Sequence, residues 1–327
     1  MRSRVRVLAA LLILMMAAAV AAMPAFAEQE GHFDRTLSVT GAVDLTIQTG
    51  SGDIIVRPGD SSKVVVHGTI RANHSWLSGD ASARIHEIET NPPIEQNGNT
   101  IRIGRTDDHE RERNISISYE VTVPAQTKLH SESGSGDETV DGIAGPIEAT
   151  SGSGELKISN IGAEVHLRTG SGDVELNSIK GSASARTGSG SIRAIGIAGG
   201  LNASSGSGEV KLEQTAAGDV EVSTGSGDVE IRGANGAVHV TTGSGEINAK
   251  GTPAGDWKLR TGSGGVTVEF PAEAAFDLYA QSSSGNIETK HEIAVLGSMS
   301  PRELHGKVRG GGVRVELSTS SGTIHIL

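Results

Sequence analysis

The sequence predicts an all-β fold, a single-chain β-solenoid, and three of its features do so. Gly-Ser-Gly recurs with its first glycine at Gly134, Gly152, Gly170, Gly188, Gly206, Gly225, Gly243 and Gly262, in steps of 18 or 19 residues. A fixed period of this kind is the mark of a stacked repeat. Between the copies apolar and polar residues alternate, the pattern of a strand with one buried side. A second turn falls half a period later, at Lys180-Gly181, Ala198-Gly199-Gly200, Ala217-Gly218 and Asn235-Gly236. Each coil of about 18–19 residues is therefore expected to hold two short strands and two turns. At about 4.8 Å per coil, the regular coils would span roughly 40 Å.

Composition agrees. Glycine supplies 45 of the 327 residues and aromatics only 2%, so tight turns are many and a bulky core is excluded. The formal charge is −11, and −14 without the arginines Arg2, Arg4 and Arg6, which disfavours nucleic acid and anionic lipid as partners. There is no cysteine, so disulfides, thiol chemistry and a lipidated cysteine are all out of reach.

In chain order, residues 1–27 read as a signal peptide: three arginines, an apolar run from Val7 to Val20, and Ala25-Phe26-Ala27 as the cleavage site before Glu28. No later stretch is apolar enough to span a bilayer, so export to the periplasm, the cell surface or the extracellular space is expected. Residues 28–128 form a strand-rich N-terminal section with an irregular insertion. Leu37, Val39, Val43, Leu45 and Ile47 alternate with polar residues, Gly50-Ser51-Gly52-Asp53 turns, and Ile54 and Val56 resume the pattern. Lys63 to Ile70 is a further strand. Ser78 is placed to cap a short helix through Ala81–Ile88, stopped before Asn91-Pro92-Pro93. Ile94 to Ile103 reads as a hairpin around Asn97-Gly98-Asn99, Asp107 to Arg113 as a solvated charge run, and Ile115 to Val123 as a strand ended by Pro124.

Residues 129–327 are the solenoid repeat domain. Parity puts the residue before each Gly-Ser-Gly, or its weaker variant, on the inward side: Thr49, Ser133, Ser151, Thr169, Thr187, Ser205, Thr224, Thr242, Thr261, Ser282 and Thr319. All are hydroxyls, and a buried hydroxyl needs a bond, so a stacked Ser/Thr ladder serving the turns is expected. Trp257 is predicted inward. Thr289 to Gly312 breaks the period and suggests a projecting loop, after which Val313 to Ile326 make the last coil. An open solenoid end must be covered by that loop or by end-to-end self-association.

Tyr119-Glu120-Val121-Thr122-Val123-Pro124 leading into the first repeat, the Thr-Gly-Ser-Gly-Asp copies, and the ending Gly311-Gly312-Val313-Arg314-Val315 to Ser320-Ser321-Gly322-Thr323-Ile324 together resemble the bacterial putative-adhesin family of β-strand repeat proteins of unknown function. The resemblance covers most of residues 35–327. It implies a β-solenoid in an exported or envelope-associated protein, and it carries over no catalytic residue.

The chemistry is sparse. The acids after the turn, Asp137, Glu155, Asp173, Glu209, Asp228 and Glu246, would stack as a column that a divalent cation could bridge, or that merely suits a turn facing water. Arg168, Arg186 and Arg260 lie outward beside it and could screen it. No dinucleotide, P-loop or nucleophile-elbow motif is present. His166 and His239 lie outward four coils apart, too far to share an ion. No catalytic, cofactor-binding or metal residue is assigned, and no cofactor is expected. The expected role is a non-enzymatic adhesin-like scaffold for an envelope or surface partner, protein or glycan. The alternative is a glycan-binding or glycan-cleaving β-helix, which an outward patch joining Trp or Tyr with acids would favour.

Overall fold

The computed structural model describes residues 30–72, 81–104, 115–295 and 300–327. The expected signal peptide, Ser78 and the charge run Asp107 to Arg113 lie outside the described residues. Within them the fold is a β-solenoid whose strands join in one 27-stranded sheet wound round a continuous core.

Strands β1 to β4 are Glu30–Ser38, Val43–Thr49, Ile54–Pro58 and Lys63–Ala72. Helix α1, Ala81–Thr90, lies where the helix was predicted, with Ile85 and Ile88 buried against β1. The hairpin of β5 (Ile94–Asn97) and β6 (Thr100–Ile103) turns at Gly98, whose φ is 61°. Then comes β7, Ile115–Val123. Strands β8 to β18 are Thr127–Ser133, Glu138–Asp141, Ile147–Ser151, Leu156–Ile161, Val165–Thr169, Val174–Ile179, Ala183–Thr187, Ile192–Ile197, Leu201–Ser205, Val210–Gln214 and Val220–Ser226. Two long strands, β19 (Val229–Ser244) and β20 (Ile247–Ser263), each bend through a corner and serve both sides of the coil. The chain ends with β21 (Val266–Glu269), β22 (Phe276–Ser284), β23 (Ile287–Thr289), β24 (Ile293–Val295), β25 (Glu303–Val308), β26 (Val313–Ser321) and β27 (Ile324–Ile326).

From β8 to β18 alternate strands pair in parallel, one coil on the next, and the long β19 and β20 continue the same parallel stacking with shifts of register at their corners. Inward residues stack on their counterparts, as in Leu129, Ile147, Val165, Ala183, Leu201 and Val220, all at most 4% exposed. The stack crosses residue 128 without a break, because β2 pairs with β8 and β3 with β9 in the same parallel sense.

At both ends the order of coils departs from the order of the chain. β2 and β3 lie second from the end, between β8–β9 and an outer layer of β6 and β7. At the far end β26 pairs with both β20 and β22, and β27 with both β21 and β23. The last coil of the sequence is thus interposed, and the coil of β22 and β23 lies outside it. The expected projecting loop is instead part of the sheet, since β25 runs antiparallel to β22 and β24 antiparallel to β25. This segment extends the first strand stack over the end of the solenoid. The second stack ends at β23, where Pro301 O accepts the Ile287 N–H.

The hydroxyl ladder is present as predicted. Ten of its eleven members are buried and Thr49 is half-buried. Thr49 donates to Ile117 O at 2.8 Å, while in the regular coils each hydroxyl donates to the carbonyl of the preceding turn's second glycine: Ser151 to Gly136, Thr169 to Gly154, Thr187 to Gly172 and Ser205 to Gly190, at 2.8–3.3 Å. In these coils the same oxygen accepts the N–H of its own second glycine, as in Gly190 N–H to Thr187 at 2.9 Å. From Gly227 on, that N–H goes instead to the next coil's serine carbonyl, and the hydroxyl keeps only its donor bond, as in Thr242 to Gly227 at 3.2 Å. The rungs also follow the interposed coil: Thr261 donates to Gly245, Thr319 to Gly264, and Ser282 to Gly322.

The glycines of this corner serve close approach. A Cβ on Gly172 would stand 1.8 Å from the carbonyl oxygen of Gly154, so only glycine lets one turn sit on the one below. Aromatic side chains are absent from residues 121–256 and concentrate at the ends. Phe33 meets Tyr119 at one end, while Trp257, Phe270 and Phe276 form a chain of ring contacts at 4.9 Å centroid spacing at the other. Trp257 is inward as predicted, fully buried, with Nε1 donating to Gly236 O at 3.1 Å.

A substitution pair tests the ladder. Thr187→Val removes a donor and an acceptor and is expected to cost about 2–3 kcal/mol, whereas Thr242→Val removes one bond and should cost about 1 kcal/mol. Urea denaturation of both variants measures the difference, and equal or negligible losses would contradict the two-bond rung.

Candidate binding surface

The acidic column stands where its parity placed it, outside the solenoid, and five of its six members bond to neighbouring groups. Asp137 Oδ1 accepts the Glu155 N–H at 2.8 Å, Asp173 Oδ1 that of Ser191 at 2.7 Å, and Asp228 Oδ1 that of Glu246 at 2.8 Å. The aspartates thus cap the first N–H of the next coil, the place where a strand begins with a donor unpaired. The shared turn geometry repeats this at Asp53, which accepts from Asp137. Glu155 and Glu209 reach lysines two residues on, Lys157 at 2.7 Å and Lys211 at 3.0 Å. Among the described residues no group of three or more acids and histidines is arranged to hold a metal ion. Arg168 and Arg186 sit side by side in register, and Arg260 pairs with Glu316 instead of with the column. His166 and His239 are outward, with Ser184, Asn202 and Glu221 between them in register, so about 19 Å separates them at strand spacing.

One acid was missed. Glu138 follows the column residue Asp137 and points inward, fully buried, at the position that Leu156, Val174 and Ile192 occupy in later coils. Ser131 Oγ–H donates to its Oε2, and Oε1 has no partner. Burial pushes its carboxyl up to about 7, against the opposing pull of the bonds from Ser131 and the Ser133 N–H. Two polar residues at apolar positions of one coil, Ser131 for Ala149 and Glu138 for Leu156, were the available signal. Gln214 is a similar exception. It stands in the file of Ile161, Ile179 and Ile197, where its coil is one residue short, and its Nε2 donates to Gly199 O and Gly218 O.

Three grooves stand out on the surface of the described residues. One of about 780 Å³ on the second stack is lined by Glu230, Arg232, Lys250 and Glu269, which pair with one another as Arg232–Glu230 and Lys250–Glu269. One of about 450 Å³ between His166 and His239 is shallow in chemistry, with Ser184 and Asn202 on its floor. The third, about 660 Å³, lies on the outer face of the first stack where the interposed coil meets its neighbours. Register brings Tyr279 of β22, Glu316 of β26 and Lys258 of β20 side by side, with Gln281, Ser318 and Arg260 in the next file. Tyr279 is 37% exposed, one of two large apolar side chains so exposed among the described residues. The Arg314 guanidinium lies 4.6 Å from its ring centroid and the His305 ring 5.2 Å away. Arg260 and Arg314 both reach Glu316, and the Arg260 bond holds its carboxyl below the usual range. Arg260, Arg314 and Lys258 surround the single carboxylate of Glu316, so the array is net positive.

Residues 36–198 and again 197–327 match the Toastrack DUF4097 family. The chain belongs to that family. Its two matched segments meet in the middle of the solenoid, and the resemblance drawn from the repeat and the Tyr-Glu-Val-Thr-Val-Pro lead-in is thereby confirmed. No curated protein matches the chain. Among solved structures, the Toastrack chain is similar to a putative adhesin from Bacteroides fragilis at 16% identity, covering 90% of this chain and 97% of that one with a TM-score of 0.31. It is similar to a putative lipid binding protein from Parabacteroides distasonis at 11% identity, 91% and 97% coverage and a TM-score of 0.40. It is also similar to a putative cell adhesion protein from Clostridium sporogenes at 11% identity, 91% and 99% coverage and a TM-score of 0.20. No helix among the described residues is long and apolar enough to cross a membrane.

Two measurements follow from these groups. Glu138 holds its proton more tightly folded than unfolded, so folding loses stability as pH rises from about 4.5 to about 7 and the loss is complete above that. Glu138→Gln should therefore raise stability at pH 8 by on the order of 3 kcal/mol and leave it nearly unchanged at pH 4. A pH series of denaturation curves reads both values, and an equal effect at the two pH values would contradict the buried-acid assignment. Calcium should leave the melting temperature unchanged, because the column's aspartates are already engaged with backbone N–H groups; a marked rise would make the column a site.

Proposed function

We propose that this protein is a non-enzymatic, exported scaffold of the cell envelope or cell surface, adhesin-like in that it presents a rigid outer face to a partner. The observation that carries the reading is the array Tyr279–Arg314–Glu316–Arg260, an exposed ring bonded into charged groups on the polar outer face of the first stack. An exposed tyrosine held by a guanidinium is already ordered, so binding through it sacrifices little side-chain freedom. Tyrosine and arginine are also the residues that most often anchor interfaces. The groove does not favour hydrolysis: Glu316 is clamped ionised by two arginines, which unsuits it as a proton donor. Export rests on the composition of residues 1–27.

The alternative, a glycan ligand, has one observation in its favour. The groove is the outward patch that joins an aromatic ring with acids, amide and hydroxyl groups, here Tyr279, Glu303, Glu316, Gln281 and Ser318. Sugars are held by such mixtures of planar hydrogen-bonding groups beside a ring. Glycan cleavage has no comparable support.

The test is binding of beads coated with the chain from residue 28 onward to envelope preparations, alongside a panel of immobilised envelope glycans. Tyr279→Ala and Arg314→Ala are each expected to weaken binding about tenfold, the loss of one anchor. Ser223→Ala, on the same face but outside the groove, should have no effect. Undiminished binding by both groove variants would sink the assignment, and binding confined to the glycan panel would decide for the alternative.

A further inference from the structure

The coil made by β26 and β27 is the last in the sequence and yet has a neighbour on each side. It could enter its place only after the strands that flank it had been synthesised. The flanking coils are compatible with each other without it. Leu278, Ala280 and Ser282 of β22 face Val315, Leu317 and Thr319, and these same three residues face Trp257, Leu259 and Thr261 of β20. Apolar positions and the ladder hydroxyl therefore fall in the same register whether or not the tail lies between. Ser282 would meet Gly264 in place of Gly322, since Thr319 makes that bond now.

The connection between the flanking coils is also longer than the repeat requires. Thr261 to Ser282 spans 21 residues, where successive rungs from Ser133 to Thr261 are 18 or 19 apart. Two or three extra residues supply the reach to step over one more coil of about 4.8 Å at about 3.3 Å per residue. The tail is tethered to β25 by Arg309, Gly310, Gly311 and Gly312. The first three have φ values of 47°, 89° and 90°, and a side chain on Gly310 would touch nothing within 4 Å.

From this topology we infer that the place between β20–β21 and β22–β23 is a strand-acceptor slot, filled here by the chain's own residues 313–327 and equally suited to the same segment of a second copy. Reciprocal exchange of the segment through the 309–312 hinge gives a dimer in which every strand pairing and every ladder rung of the monomer is kept. Such exchange costs no native contact and alters only the path of the hinge. The partner is a second copy because its residues 313–327 reproduce every pairing the slot now holds, with Val315 between Trp257 and Leu278, Leu317 between Leu259 and Ala280, and the Thr319 rung. The inference is independent of the proposed ligand groove.

The absence of native cysteine makes the test direct. Thr267 and His325 are outward register partners on β21 and β27, away from the groove, and at strand spacing they lie within disulfide reach. A full chain carrying Thr267→Cys and a full chain carrying His325→Cys are unfolded, mixed, refolded together and oxidised. Exchange is expected to give a disulfide between the two chains, several-fold more abundant than the one formed by Arg193→Cys mixed with His325→Cys, because Arg193 lies on the distant strand β15. The double variant Thr267→Cys/His325→Cys should close within a single chain when refolded dilute, which shows that the pair is competent and the tail docked. Deleting Gly310 and Gly311, which shortens the hinge, is expected to shift the chain to a dimer by light scattering. If the double variant closes but the mixed chains give no more disulfide than the Arg193 control, the slot accepts its own tail only and the inference is overturned.

Discussion

A carbonyl oxygen resting on a glycine Cα, with a hydroxyl bridging beside it, governs this fold. Each corner of the solenoid places the second glycine of Gly-Ser-Gly against the carbonyl of the turn below, at a distance that admits no Cβ. The neighbouring serine or threonine ties the two turns together by donating to that carbonyl. With the corners stacked in this way, the strands between them have no freedom of register, because a slip by one residue would turn every side chain to the other face. The period of 18 or 19 residues is the length of chain that returns to such a corner. Aliphatic files inside the coil then fill the space without help from aromatics, disulfides or metal.

The ends are built by another logic. A stack of parallel coils leaves an unpaired sheet edge at each end, which invites association. Here the outer layers are made from antiparallel strands, β4 beside β7 and β25 beside β22, and the helix α1 packs on β1. The buried rings of phenylalanine, tyrosine and tryptophan also pack against one another near the ends. Interposing a coil that is distant in sequence locks each end further, since the outermost layer is then held by chain running on from it in both directions.

The sequence is legible where it is periodic. Thr169-Gly170-Ser171-Gly172-Asp173 announced an inward hydroxyl, a tight corner and an outward acid, and the structure assigns each of these a bond or a contact. What periodicity could not show is the order in which coils stack. Thr319 and Ser282 carry the same ladder hydroxyl, so nothing in either segment says which lies next to Thr261. The groove around Tyr279 was hidden for the same reason. Tyr279, Arg314 and Arg260 come from three strands that become neighbours only through the interposed coil. Glu138 and Gln214 were concealed differently, as single exceptions within files that otherwise obey the pattern.

The middle of the molecule has a property the ends lack. From β10 to β18 each coil meets its neighbours through the same Gly-Ser-Gly corner and through inward files that, Gln214 apart, accept alanine, valine, leucine and isoleucine alike. A duplicated or lost segment of one period would rejoin its neighbours with every inward residue still inward and both ends intact. The distance between the two ends is therefore a matter of copy number, adjustable in increments of one coil, and related chains can differ in reach without inventing any new contact.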